Sequence, residues 1–205
     1  MILRRLYLYL VCAASLVVLA AGLVLLGGTI LLFVFNDPSA DSSRGQLAIF
    51  TAMTVVALPV WGAHFFFAQR FASRDPYERA SALRRLYMYW VCLATSGATA
   101  IAGAFLVTQL LQPALDNVPT SWLSAAQLGW AVFAFAGLWA FHFWMAWRDR
   151  ATAGEEGASA TLRRWYMYIA LLAGLLMMLA GTSALLQAGW TKLAIVDVDN
   201  LPFSL

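Results

Sequence analysis

Leu83-Arg84-Arg85-Leu86-Tyr87-Met88-Tyr89 opens a stretch that then runs from Leu86 to Leu111 without a single Asp, Glu, Lys or Arg. A hydrocarbon core about 30 Å thick is crossed by roughly 20 helical residues, so this stretch is long enough to span a membrane and begins at a charged boundary. Outward from it, four more uncharged apolar stretches satisfy the same length: Leu6 to Phe35, Leu47 to Gln69, Trp122 to Trp147 and Trp165 to Trp190. Helix is the conformer that satisfies backbone polar groups within one segment in lipid, and the alternating pattern of a membrane barrel is absent. The expected fold is an all-α integral membrane protein with five transmembrane helices. Arg4 and Arg5 before the first stretch imitate a signal peptide, but at about 30 residues the apolar run is too long for one and is read as a retained helix.

The opening heptapeptide is not unique. Leu3-Arg4-Arg5-Leu6-Tyr7-Leu8-Tyr9 precedes the first span, and Leu162-Arg163-Arg164-Trp165-Tyr166-Met167-Tyr168 precedes the last, giving three copies about 80 residues apart. Cys12 and Cys92 share a register, where the third copy has Leu171. The second helix of each unit also matches, Trp61-Gly62-Ala63-His64-Phe65 with Trp139-Ala140-Phe141-His142-Phe143. The chain therefore divides into hairpin repeat 1 (1–80), hairpin repeat 2 (81–160) and a truncated repeat 3 (161–205) with one helix and an external tail. Hairpins that start and end on one side have like topology and should be related by an axis along the membrane normal. The third unit stops where its second helix would begin, either because a terminal helix was lost or because the sequence is the N-terminal part of a longer repeat protein.

Composition agrees with the spans. Of 205 residues, 62% are apolar and 11% charged, against roughly 45–50% and 25% in soluble domains. Disorder and a disulfide scaffold are excluded, and a net charge of +3 is too small for a nucleic-acid binder. Eleven of the 13 basic residues lie at the N-terminus and in the second and fourth connections, with only Arg44 and Lys192 opposite. By the positive-inside rule the N-terminus is inside and the C-terminus outside. The opposite segments, Asn36 to Gly45, Gln112 to Ser121 and Thr191 to Leu205, read as loops.

The Arg-Leu-Tyr-x-Tyr opening and the later Trp-x-x-His resemble an uncharacterised bacterial membrane domain family, a domain of unknown function often found in tandem copies. The resemblance covers nearly the whole chain. It implies the fold and a multi-pass location in the bacterial cytoplasmic (inner) membrane, and no chemistry.

His64 and His142 occupy equivalent positions, each six residues before an arginine, about 9 Å inside the boundary at 1.5 Å per residue. Ionisable residues at that depth are functional candidates. One reading makes them cofactor ligands, for a haem b held between two imidazoles or for the magnesium of a chlorophyll or bacteriochlorophyll. The other makes each a neutral histidine bonded to a carbonyl within an aromatic belt. Because Phe65, Phe66 and Phe67, and Phe143 and Trp144, make the helix end aromatic all round, the belt is expected, with the two imidazoles well separated and no shared iron.

The basic and tyrosine pairs, Arg4, Arg5, Tyr7 and Tyr9, then Arg84, Arg85, Tyr87 and Tyr89, then Arg163, Arg164, Tyr166 and Tyr168, are expected to anchor three hairpins at the lipid headgroups. The alternative is that the six arginines form an anionic lipid or ligand site. Cys12 and Cys92 read as core residues, Pro59 as a bend, and Ser96, Ala100 and Ala104, with Ala180, Ala184 and Ala188, as close-contact stripes. No intramembrane ion pair, carboxylate relay, phosphate loop or His-Glu-x-x-His motif is expected, which argues against a coupled transporter, a metal site and an enzyme. The functional expectation is a non-enzymatic accessory or structural subunit of a larger membrane complex, its partners being membrane lipids, including anionic headgroups, and other membrane subunits. The alternatives are a haem or pigment subunit using His64 and His142, and a carrier of an apolar or amphipathic solute between the repeats.

Overall fold

The computed structural model describes residues 2–115, 118–154 and 157–199. Six helices follow in order: α1 (Ile2–Val34), α2 (Arg44–Arg74), the short α3 (Pro76–Arg79), α4 (Ala82–Leu115), α5 (Trp122–Ala153) and α6 (Ala158–Asp199). Five of them are long and apolar enough to cross a membrane, and no strand occurs among the described residues. The helices outrun the uncharged spans. At 33 residues and 1.5 Å per residue, α1 is about 50 Å long, longer than a hydrocarbon core about 30 Å thick.

The turns are set by residues suited to them. Asn36 takes a positive φ of 52° after α1, and Asp37 then accepts the Ser39 amide at 2.9 Å and its hydroxyl at 2.5 Å. These two bonds stabilise the charged form and hold the Asp37 carboxyl below its usual range. Asp75 caps α3 by accepting the Tyr77 amide at 2.9 Å, with Pro76 at the first helical position, where its missing N–H costs nothing. Gly154 ends α5 at φ 66°, a conformation that favours glycine. Pro59 lies inside α2 and Pro113 inside α4. Each expected loop is partly helix: α2 already begins at Arg44, α4 runs on from Gln112 to Leu115, and α6 continues beyond Thr191 to Asp199, where no proline occurs between Trp190 and Pro202 to stop it. Residues 200–205 of the expected external tail, and Asp116 and Asn117 of the expected loop after α4, lie outside the described residues.

The chain forms two compact units, Met1–Tyr166 and Met167–Leu205. In the first, α1 packs against α2, α4 and α5, and α4 against α5, so both hairpins share one core. Its centre is Tyr9, Cys12, Leu16 and Leu19 of α1 with Phe65 and Ala68 of α2, Met88 and Val91 of α4, and Met145 and Ala146 of α5. Cys12 and Cys92 are fully buried, in keeping with their reading as core residues. The second unit is the remainder of α6, an uninterrupted apolar helix.

Hydroxyls inside the bundle are satisfied within their own helices: Ser15 donates to the Val11 carbonyl at 2.6 Å, Thr29 to Leu25 at 2.8 Å and Thr95 to Val91 at 2.7 Å. The contact face of α4 differs from the expected small-residue stripe. Met88, Val91, Cys92, Thr95 and Ala102 are buried, while Ala100 and Ala104 are exposed. A helix apolar on every side gives no moment by which one stripe can be chosen. At the far end from the arginines, α5 is tied to α1 through backbone: Trp130 Nε1 donates to the Leu23 carbonyl at 3.0 Å and Gln127 Nε2 to the Gly28 carbonyl at 2.9 Å.

Candidate functional site

The polar chemistry of the first unit collects at the basic end of the helices. Arg84 on α4 has no exposed surface, and its guanidinium reaches three other helices. It donates to Asp149 Oδ2 of α5 at 2.5 Å, to Gln69 Oε1 of α2 at 2.8 Å and to the Tyr9 hydroxyl of α1 at 3.3 Å. Arg79 adds a longer approach to the same carboxylate, 3.9 Å to Oδ1. Arg85, equally buried, donates to the Ala146 carbonyl at 3.1 Å and the Gly154 carbonyl at 3.2 Å, completing acceptors at the C-terminal end of α5, where a cation is favoured. A second carboxylate, the buried Glu78 of α3, receives Arg4 at 2.7 Å and Arg5 at 2.8 Å, and Arg4 also lies over the Phe71 ring at 4.3 Å.

These positions correct one expectation. Lipid anchoring does not hold for Arg84, Arg85, Tyr9, Tyr87 and Tyr89, which are all buried within the protein. The copy in the middle of the chain is enclosed by α1, α2 and α5, whereas the first copy lies at the bundle edge, where Arg4 and Tyr7 stay exposed and Arg5 is half-buried. Of the third copy, Arg163 is half-buried, Arg164 is exposed, Tyr166 stacks on Tyr89 at 5.5 Å, and Tyr168 lies in the second unit. A buried ion pair that the expectation about intramembrane pairs did not cover, Arg84 with Asp149, sits just beyond the uncharged spans. Asp149, Glu78 and Gln69 were not singled out from sequence. The available signal was that Asp149 and Glu78 are acids placed among arginines, which a count of basic residues alone passes over.

The histidines sit in matching surroundings. His142 on α5 is fully buried, with Nδ1 2.8 Å from the Leu138 carbonyl and Nε2 3.3 Å from the Tyr87 hydroxyl. A carbonyl only accepts, so Nδ1 carries the hydrogen, Nε2 accepts from the Tyr87 O–H, and the Tyr87 oxygen in turn accepts Trp61 Nε1–H at 3.2 Å. His64 on α2 repeats the pattern at the bundle edge, with Nδ1 2.8 Å from the Val60 carbonyl and Nε2 3.5 Å from the Tyr7 hydroxyl. Trp61 stacks on Phe65 at 5.0 Å and Trp139 on Phe143 at 5.2 Å, so the aromatic neighbours correspond as well. The structure thus gives each imidazole its own tyrosine and its own carbonyl. Among the described residues there is no group of three or more His, Cys, Asp or Glu able to hold a metal ion.

The Tyr87 hydroxyl links three helices, so Tyr87→Phe should leave the His142 acceptor and the Trp61 donor without it and destabilise the protein by about 1–3 kcal/mol. Tyr7→Phe, at an exposed site, should stay within about 0.5 kcal/mol of the parent. Unfolding by denaturant in detergent micelles measures both, and equal effects would mean that the buried triad does not contribute more than the edge pair.

No curated protein and no solved structure matches the chain. A family profile does, over residues 5–138, which carry Arg5, Tyr7, Tyr9, His64, Arg84, Arg85 and Tyr87 and end before His142 and Asp149. That match covers more than half of the sequence, and the chain belongs to the family described as Domain of unknown function (DUF5671).

Proposed function

We propose that this chain is a non-enzymatic accessory or structural subunit of a larger assembly in a bacterial cytoplasmic membrane. The observation that supports it is the inward closure of the ionisable groups: Arg84 with Asp149, Arg4 and Arg5 with Glu78, and Tyr87 with His142 and Trp61 hold helices of the same chain to one another. Meanwhile large side chains such as Trp90, Trp122, Phe133 and Trp147 stand more than half exposed on the outer surface. A protein arranged this way meets its surroundings through apolar helix faces, which suit lipid and other membrane helices.

The full chain, isolated from its native membrane in lipid nanodiscs, should appear in native mass spectrometry at fixed stoichiometry with at least one further polypeptide. Its visible spectrum should lack Soret and chlorophyll-type bands. Two outcomes overturn the reading: a lone 22.5 kDa chain, which favours the solute carrier, or a pigment band that vanishes in the His64→Ala, His142→Ala double variant, which favours the haem or pigment subunit.

A further inference from the structure

Three arginines that the buried network leaves over converge on one cleft with Arg79, which lies at the edge of that network. At the basic end of the first unit a cavity of about 590 Å³ lies among α2, α3 and α5, with Arg70 and Arg74 of α2, Arg79 of α3 and Arg148 of α5 in its wall. Arg70 and Arg148 follow His64 and His142 at the same interval of six residues, so the two hairpins contribute equivalent cations to one space. The single acid in the wall among the described residues, Asp149, is engaged by Arg84 at 2.5 Å from outside the cleft and approached by Arg79 of the wall at 3.9 Å. Among the described residues, Arg70 and Arg74 form no ion pair, and Arg148 has only the face of Trp144, 5.7 Å away. Four guanidinium groups against one committed carboxylate make the mouth strongly positive.

The rest of the wall is of the opposite character. Phe65, Phe66, Phe141 and Met145 supply an aromatic and thioether surface on the membrane-spanning parts of α2 and α5. A soluble polyanion would gain nothing from that surface, and a neutral lipid nothing from the guanidinium groups. The volume lies in the range of about 300–1,000 Å³ usual for small-molecule sites. Guanidinium forks match phosphate oxygens two at a time, and basic pockets between transmembrane helices favour anionic headgroups.

We propose that this cleft binds a net-anionic, phosphate-bearing amphiphile, with the headgroup phosphate held by Arg70, Arg74 and Arg148 and the first part of an acyl chain lying on Phe65, Phe66 and Phe141. The site adjoins the interior closed by Arg84, whose partners Asp149 and Gln69 also line the cleft, and it stands whether or not the chain has partner subunits.

The test uses the full chain in nanodiscs of phosphatidylcholine alone, titrated with a short-chain fluorescent phosphatidic acid, its phosphatidylcholine counterpart, and inorganic phosphate as competitor. The anionic lipid should bind saturably. Arg70→Gln with Arg148→Gln should weaken it about tenfold or more, each arginine near an anionic headgroup counting for roughly a factor of five. Arg44→Gln, an exposed residue paired only with Asp41, should bind like the parent, and thermal unfolding of all three proteins should coincide. Three results would overturn the proposal: equal binding of the two lipids, parent-like binding by the double variant, or displacement by inorganic phosphate at the concentration of the lipid, which would assign the cleft to a soluble anion.

Discussion

Replacing Asp149 with Ala is expected to destabilise the protein by about 3–5 kcal/mol, the usual result of removing one partner from a buried ion pair. Arg84 is fully buried and its guanidinium has three partners, of which the carboxylate is the only charged one at hydrogen-bond distance. Without it, Gln69 and Tyr9 still accept hydrogen bonds, but neither balances the charge. Breaking the pair therefore costs more than the pair's net contribution, and a double replacement separates the two quantities. Arg84→Met with Asp149→Leu removes both charges, so it should recover much of the loss, as apolar substitutes for buried pairs often do. Denaturant unfolding in micelles, followed by far-ultraviolet circular dichroism, gives the three values. A loss below about 1 kcal/mol for Asp149→Ala would show that water or a neighbouring group neutralises Arg84.

That clasp also marks the boundary of what the amino-acid sequence discloses. The spans were legible because lipid imposes a one-dimensional rule: about 20 uncharged residues between charged ends, a pattern that Leu86 to Leu111 states without ambiguity. The burial of Cys12 and Cys92 was legible from their place inside apolar helices, with no Cys-x-x-Cys spacing and no neighbouring charge. The fate of each arginine pair was not. Arg4-Arg5 and Arg84-Arg85 sit in almost identical heptapeptides, and what separates them is the number of helices around each, which is a property of assembly. Arg84 meets α1, α2 and α5, whereas Arg5 meets α3, and Arg4, still exposed, meets α3 and the Phe71 ring of α2. The histidines stand between these cases. Their aromatic neighbours predicted a carbonyl-bonded imidazole in an interfacial belt; the carbonyl at i−4 is there in both, but His142 is fully buried against Trp61, Phe65 and Tyr87 of other helices instead of standing in a belt. The tyrosine that completes each one comes from another helix about 55 residues away or more in sequence, at positions that had been assigned to the lipid headgroups. The cleft among Arg70, Arg74, Arg79 and Arg148 was hidden for the same reason. Counted along the chain these residues report orientation, and only the packing of the first unit brings them to one wall.

Gly27→Ala should be nearly as damaging at the opposite end of the bundle, and the glycine beside it shows why. A Cβ built on Gly27 falls inside the indole of Trp130, overlapping Nε1 and Cε2 and standing 2.5 Å from Cδ1. The ring cannot yield by a small torsion without losing the hydrogen bond from Nε1 to the Leu23 carbonyl at 3.0 Å, one of two that join α5 to α1 there. Overpacking costs about 1–3 kcal/mol, and losing a buried hydrogen bond adds about 0.5–1.5 kcal/mol, so a loss of about 2–4 kcal/mol is expected. A Cβ on Gly28 meets nothing within 4 Å. Gly28→Ala should therefore be neutral, or stabilising by up to about 1 kcal/mol from the better helix propensity of alanine. Gly22 gives an intermediate case, its Cβ lying 2.7 Å from the Thr54 hydroxyl and 3.1 Å from the Thr54 amide. Trp130→Ala offers a separate check on the Gly27 result. Removing the indole opens the space, so adding Gly27→Ala to Trp130→Ala should cost much less than adding it to the parent. If Gly27→Ala were equally destabilising in both backgrounds, the close approach of α5 to α1 would have to rest on backbone contacts rather than on the ring.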